Sequence, residues 1–292
     1  MKKNLILLGF MVCTMTMVGQ TQKNEGWSFY VGGSYFSQVV ATEFPAVGGR
    51  AALDQVYVGG ILVSKKSITG SFGEGFRYGG GAEYRFSNYF GLQMSVNYFK
   101  SNSKTMVQTS TDLPGDGVIY NLKADGQLRA LDLAPVVVFY LGEAKGFNPY
   151  AKVGVIVPVN GYLEIKTTAN PFPGMNVAFT DKINPNPTAG FVTALGTTYK
   201  IGKNIAVYAE LEYRNFTIEG KDKETTAYTV NGIDMLSTRT AAQRYSNYTD
   251  HLDGSSNNSE FNVVDPTKPK DELSSYVGIS GLGLTLGLKY NL

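Results

Sequence analysis

Ser275-Tyr-Val-Gly-Ile-Ser-Gly-Leu-Gly-Leu-Thr-Leu-Gly-Leu-Lys-Tyr-Asn-Leu292 closes the chain, and sorting it by parity decides the fold. Leu282, Leu284, Leu286, Leu288, Tyr290 and Leu292 share one face; Gly281, Gly283, Thr285, Gly287, Lys289 and Asn291 share the other. Period two is the signature of a strand, because successive side chains of a pleated chain point to opposite faces. A strand this long, leucine on one side and glycine or polar groups on the other, fits lipid outside and a narrow polar lumen inside. It reads as the closing strand of a transmembrane β-barrel.

The amino terminus points the same way. Lys2 and Lys3 precede an apolar stretch, 5–18, that is too short to span a bilayer. We expect a signal peptide over 1–19, cleaved near Gly19 or Gln20, and one barrel domain over 20–292. Cys13 lies inside the apolar stretch behind Phe10-Met11-Val12, without the small residues of a lipoprotein anchor. With the signal removed no cysteine remains, which excludes disulfides and thiol catalysis. No other run of eighteen apolar residues exists, so a helical membrane protein is excluded as well.

Mean hydropathy is −0.11, ordinary for a soluble protein. Yet the chain holds 34 Gly, 19 Tyr and 16 Phe against one His and one Trp. Barrels combine these traits because only alternate strand residues meet lipid. A net charge of +2, with no arginine-rich stripe, argues against a nucleic-acid partner.

Eight strands are expected: 27–38, 75–86, 90–98, 126–141, 149–163, 188–201, 205–214 and 275–292. On 75–86, Phe76, Tyr78, Ala82, Tyr84 and Phe86 face out while Arg77, Gly79, Gly81, Glu83 and Arg85 face in. In the fourth strand Val136-Val137-Val138 leaves the lipid-facing parity open. Connections alternate short and long, the long ones being 39–74, 101–125, 164–187 and 217–274. Short periplasmic turns and long extracellular loops would put both termini in the periplasm. Aromatic girdles are expected near the turns (Trp27, Phe86, Tyr89, Phe90, Tyr150, Tyr199, Tyr290) and near the loops (Tyr35, Phe76, Tyr78, Tyr98, Tyr213, Tyr276). If 56–63 and 228–235 also crossed the membrane, the barrel would have ten strands.

A family resemblance rests on three stretches: Gly80-Gly-Ala-Glu-Tyr-Arg-Phe-Ser-Asn-Tyr-Phe-Gly-Leu92; Leu131-Asp-Leu-Ala-Pro135 with Asn148-Pro-Tyr-Ala-Lys-Val-Gly154; and Tyr199-Lys-Ile-Gly-Lys-Asn204 with Ala209-Glu-Leu-Glu-Tyr-Arg214. Together they resemble the small outer-membrane β-barrel proteins of Bacteroidota, of OmpA/OmpX-like type. The likeness spans about 75–292 apart from the loops, and implies the barrel and an outer-membrane location without fixing a role. Such barrels usually end in an aromatic residue read by the assembly machinery; this chain ends Tyr290-Asn291-Leu292.

The residues with chemistry are the lumen-parity charges Arg77, Glu83, Arg85, Lys152, Glu210, Glu212, Arg214 and Lys289. Buried charges must pair, and an eight-stranded interior is just wide enough for side chains to fill, so we expect a structural plug forming one network. Lumen-parity glycines would make room for them. Catalysis of the acyl-hydrolase or protease type needs a histidine base. The only histidine, His251, sits in a loop between Asp250 and Asp253, so no enzyme is expected. Asp250, Asp253, Asn257, Asn258 and Glu260 lack the spacing of a calcium loop, and no metal or cofactor is expected. Gly281-x-Gly283-x-x-x-Gly287 lies within a strand and is no nucleotide loop.

The leading expectation is a non-enzymatic, plugged outer-membrane barrel whose long loops serve envelope structure, adhesion or a surface or envelope partner. Its other partners would be the bilayer and, through the last strand, the assembly machinery. The alternative is a small-solute pore or a carrier of hydrophobic ligands. A soluble lipocalin-type barrel would instead turn its apolar parity inward.

Overall fold

The computed structural model describes residues 25–113, 117–186 and 188–292; the expected signal peptide and Cys13 lie outside them. Eight strands close the barrel: β1 (Gly26–Gln38), β2 (Gly75–Arg85), β3 (Phe90–Ser101), β4 (Gly117–Tyr140), β5 (Phe147–Phe172), β6 (Gly190–Lys200), β7 (Ile205–Asn215) and β8 (Gly281–Asn291). Each is antiparallel to the next, and β8 returns to β1 from Ser28 opposite Asn291 to Gln38 opposite Gly281. Closure leaves no sheet edge, so the backbone groups of the wall find their partners within it apart from the interrupted β4–β5 register at Pro158/Asn160.

The side chains sort as a membrane demands. Val31, Leu195, Leu211, Leu284 and Leu286 are exposed, whereas Arg77, Glu83, Glu210, Glu212 and Arg214 are buried. An apolar surface encircling the molecule suits lipid and not water. Exposed aromatics band both ends: Trp27, Tyr89, Phe90, Tyr199 and Tyr290 near the turns, and Tyr35, Phe76, Tyr78, Tyr98 and Tyr276 near the loops. Tyr150 departs from its expected girdle place. It is buried, on the same inward parity as Lys152 and Ile156.

The long connections are in good part sheet rather than irregular loop. A membrane-crossing strand needs about 9–11 residues, yet β4 has 24 and β5 has 26. Their surplus rises beyond the membrane and recruits further strands. Lys104–Leu113 pairs with β4, and the hairpin of Leu53–Val58 and Ile61–Ser67 joins it in parallel through Asp54 opposite Gln108. On the other side Met175–Asn186 pairs with β5, then Thr217–Val230 with Met175–Asn186. Much of 101–125 and 164–187, expected as loops, is therefore sheet. The two ambiguous segments belong to this extension: 56–63 turns through Gly59 and Gly60, and 228–235 turns through Asn231 and Gly232, all with positive φ. Eight strands, not ten, form the wall. The last strand is also shorter than the alternation suggested, beginning at Gly281 after a separate Tyr276–Gly278 strand.

An apolar cluster fills the loop-side mouth: Phe36, Phe72, Phe99, Met106, Leu128, Ile156, Phe216 and Ile279. The 71–74 segment dips into it. Phe72 N–H and the Ser71 hydroxyl both donate to the Gly278 carbonyl, at 3.1 and 3.0 Å. Gly73 lies so close to Ser280 that any Cβ there would collide with the Ser280 backbone, so only glycine allows the dip.

Candidate functional site

The barrel interior gathers the charged residues of β2, β4, β5, β7 and β8 into three tiers. Alternation on β7 places Tyr208, Glu210, Glu212 and Arg214 inward at rising height from the turn end. Nearest the loops, the Arg77 guanidinium grips Glu212 through both nitrogens, with Nη2 at 2.6 Å from Oε2. The same Nη2 donates to Ser34 at 3.0 Å and Thr285 at 3.2 Å. Arg214 donates to Asp132 at 2.6 Å, and Asn97 donates to the other carboxylate oxygen at 2.9 Å. The Arg77 guanidinium lies 5.1 Å from the Phe36 ring centroid and that of Arg214 5.8 Å from Phe216, so this tier butts against the apolar mouth.

In the middle tier Lys152 donates to Glu210, which also accepts from the Tyr150 hydroxyl at 2.7 Å. The Lys152 ammonium lies 5.0–5.9 Å from the rings of Tyr150, Tyr30 and Tyr208, within the range of cation–π attraction. Gln93 donates to the Tyr30 hydroxyl at 2.6 Å. Gly32 and Gly287 lie beneath Tyr208, where a Cβ on either would collide with its side chain.

The tier nearest the turns joins Lys289 to Glu83 at 2.9 Å and to the Tyr140 hydroxyl at 3.0 Å, while Tyr140 itself donates to Glu83. Among the described residues Arg85 takes no carboxylate. It stacks 3.8 Å from the Tyr140 ring centroid and donates to the backbone carbonyls of Ser87 at 3.0 Å and Asn88.

Seven of the eight expected charges are thus paired, in separate tiers rather than fused into one network, and the eighth, Arg85, belongs to the turn. Sequence reasoning missed Asp132, the fully buried partner of Arg214, and the inward tyrosines Tyr30, Tyr140 and Tyr150. The internal void between Arg77, Lys152, Glu210 and Arg214 measures about 40 Å³, room for roughly three waters. A wider recess of about 230 Å³ opens at the turn side, lined by Arg85, Glu143, Lys200, Lys203 and Lys289.

His251 lies apart from all of this. Its side chain is 81% exposed, 3.6 Å from Asp253. Asp253, Asn257 and Asn258 spend their polar atoms on their own loop. Ser255 donates to Asp253 through backbone and hydroxyl, which holds that carboxyl below its usual pKa. Asn257 and Asn258 donate to the carbonyls of Pro269 and Asp271 at 2.8 and 2.7 Å. Among the described residues, no cluster of three His, Cys, Asp or Glu is placed to hold a metal ion.

A closed eight-stranded wall with an apolar exterior and a charged interior defines an integral outer-membrane β-barrel protein. The chain belongs to the outer membrane protein beta-barrel domain family, whose model matches residues 6–232. No curated protein matches it by sequence. Among solved structures it is similar to the outer membrane protein OprG from Pseudomonas aeruginosa, with 12% identity, coverage of 94% of this chain and 99% of that one, and a TM-score of 0.43. Neisserial surface protein A shows 10% identity over 91% and 97% of the two chains at 0.38. The outer membrane protease OmpT from Escherichia coli shows 10% identity over 95% and 100% at 0.31. At these scores the likenesses carry no inference about role.

Proposed function

We propose that the protein is a non-enzymatic, plugged barrel that anchors a rigid β-built head at the cell surface, for envelope structure, adhesion or partner docking. The observation that carries this reading is the stacking of paired charges beneath an apolar mouth: Arg77–Glu212 and Arg214–Asp132 lie directly under Phe36 and Phe216. An ion crossing would have to part a bidentate pair and then enter an apolar layer, each step costing several kcal/mol. The head supports the binding role, since long surface segments on a rigid scaffold are where recognition sits. In this reading the termini are periplasmic, β8 is the strand presented to the assembly machinery, and the Arg77, Glu83, Arg85, Lys152, Glu210, Glu212, Arg214 and Lys289 set is structural.

Planar-bilayer recording tests it against a solute pore. Rare, small events are expected from the wild type. Steady openings of general-porin size would overturn the proposal. So would hydrolysis of lipid or peptide substrates that is lost in His251→Ala.

A further inference from the structure

On the outer wall, a notch of about 270 Å³ is lined by Tyr98, Arg129, Ala130, Leu131, Gly161 and Tyr162. It lies beside the register shift at Pro158/Asn160, where the β4–β5 ladder is interrupted. Its floor is small by design, for a Cβ on Gly161 would fall 2.7 Å from the Arg129 carbonyl. Its height follows from register. Tyr98 of the loop-side girdle pairs with Leu131, and Lys100 pairs with Arg129 one step of the same face higher. Arg129 in turn lies opposite Tyr162. The notch therefore sits where hydrocarbon gives way to headgroups.

Arg129 lines the notch, and two further cations stand near it. Arg129 donates to the Tyr162 hydroxyl at 3.2 Å, and Lys182 lies 4.4 Å from the Tyr162 ring centroid. Lys100 stands on the adjoining strand. Of the outward carboxylates nearby, Asp125 pairs with Lys123 at 2.9 Å, and Glu164, which lies opposite Lys182 in the ladder, pairs with Lys166 at 3.2 Å. Arg129 Nε is buried without a hydrogen-bond partner among the described residues. A guanidinium on the lipid face at this depth must reach a phosphate or water, and a girdle of apolar and aromatic groups favours the phosphate.

We propose that this notch holds the phosphate of an anionic outer-leaflet lipid, with Arg129, Lys100 and Lys182 around the headgroup and Tyr98 and Leu131 against the first acyl carbons. The site rests on the reading that the head faces outward, since that reading makes this the outer leaflet.

The test reconstitutes the full chain in phosphatidylcholine vesicles doped with diphosphoryl lipid A and counts retained lipid by native mass spectrometry. The wild type is expected to keep one lipid A, and Arg129→Gln with Lys182→Gln to weaken retention about thirtyfold, from about 1 kcal/mol per cation. Lys221→Gln with Lys268→Gln, which removes two head cations, should retain it fully. Should the double variant fail to fold, dephosphorylated lipid A on the wild type decides alone: equal retention overturns the proposal. Displacement by millimolar inorganic phosphate would mean a free-anion site, and preference for phosphatidylglycerol would overturn the outer-leaflet source. Failure of the outward reading itself would show separately, as surface labelling on the opposite end of the barrel.

Discussion

Asp132 illustrates what single residues disclosed. Arg77, Glu83, Glu210, Glu212 and Arg214 were legible as interior charges because β2 and β7 alternate cleanly. β4 does not, since Val136, Val137 and Val138 are apolar on both parities. Asp132 held the missing signal: a carboxylate cannot face hydrocarbon, so even positions of β4 must face inward, and Ala134, Val136, Val138 and Tyr140 follow it. Tyr150 was readable by the same rule, being on the parity of Lys152. That the charges fall into tiers was not legible, because parity gives a face but not a height. Removing one member of the upper tier leaves its partner buried and unpaired. Glu212→Ala should cost about 3–5 kcal/mol, and Arg77→Met with Glu212→Leu should recover part of it. Urea unfolding followed by gel mobility measures both; single variants as stable as wild type would mean that water holds these charges.

At the scale of the element, β8 offers the sharpest contrast. Leu284 faces lipid and Thr285 lies buried against Ser34 at 2.7 Å. Leu284→Arg should destabilise by about 2–4 kcal/mol if it lies near the midplane, while Thr285→Ser keeps the hydroxyl and should be tolerated. A loss from Thr285→Ser as large as that from Leu284→Arg would contradict the assignment of faces. Strand ends were less legible than strand centres. In 121–125 and 164–170 the period of two persists, but threonine, asparagine and charge replace the lipid-facing apolar residues once the strand leaves the membrane. Composition there says loop while hydrogen bonding says sheet. The head so formed carries its own pH dependence. Asp181 is buried beneath Thr225, which donates to it at 2.6 Å, and burial raises its carboxyl pKa. A carboxyl whose folded pKa is raised binds protons more tightly when folded, so stability is present below its unfolded pKa and lost as pH rises through the folded one. Hydrogen exchange of Thr217–Val230, corrected for intrinsic rates, should show tighter protection at mildly acidic than at alkaline pH. Asp181→Asn should flatten that difference.

For the whole molecule, the asymmetry between its two ends is the ground for the proposed orientation. The connections after β2, β4 and β6 span only 86–89, 141–146 and 201–204, whereas those after β1, β3, β5 and β7 build the entire head. Bacterial outer-membrane barrels have short periplasmic turns and longer extracellular loops. The turn side also bears the open charged recess with Glu143, Lys200 and Lys203, and the head side the closed apolar mouth. The chain's one cysteine is Cys13, so in a Cys13→Ser background single cysteines report position without interference. Gly254 offers no obstacle to a new side chain, with nothing within 4 Å of an added Cβ, and Lys203 is exposed in the turn after β6. Gly254→Cys should react with a membrane-impermeant maleimide on intact cells, and Lys203→Cys only after the outer membrane is permeabilised. Labelling of Lys203→Cys alone on intact cells would invert the molecule, turning the head toward the periplasm and the recess toward the medium.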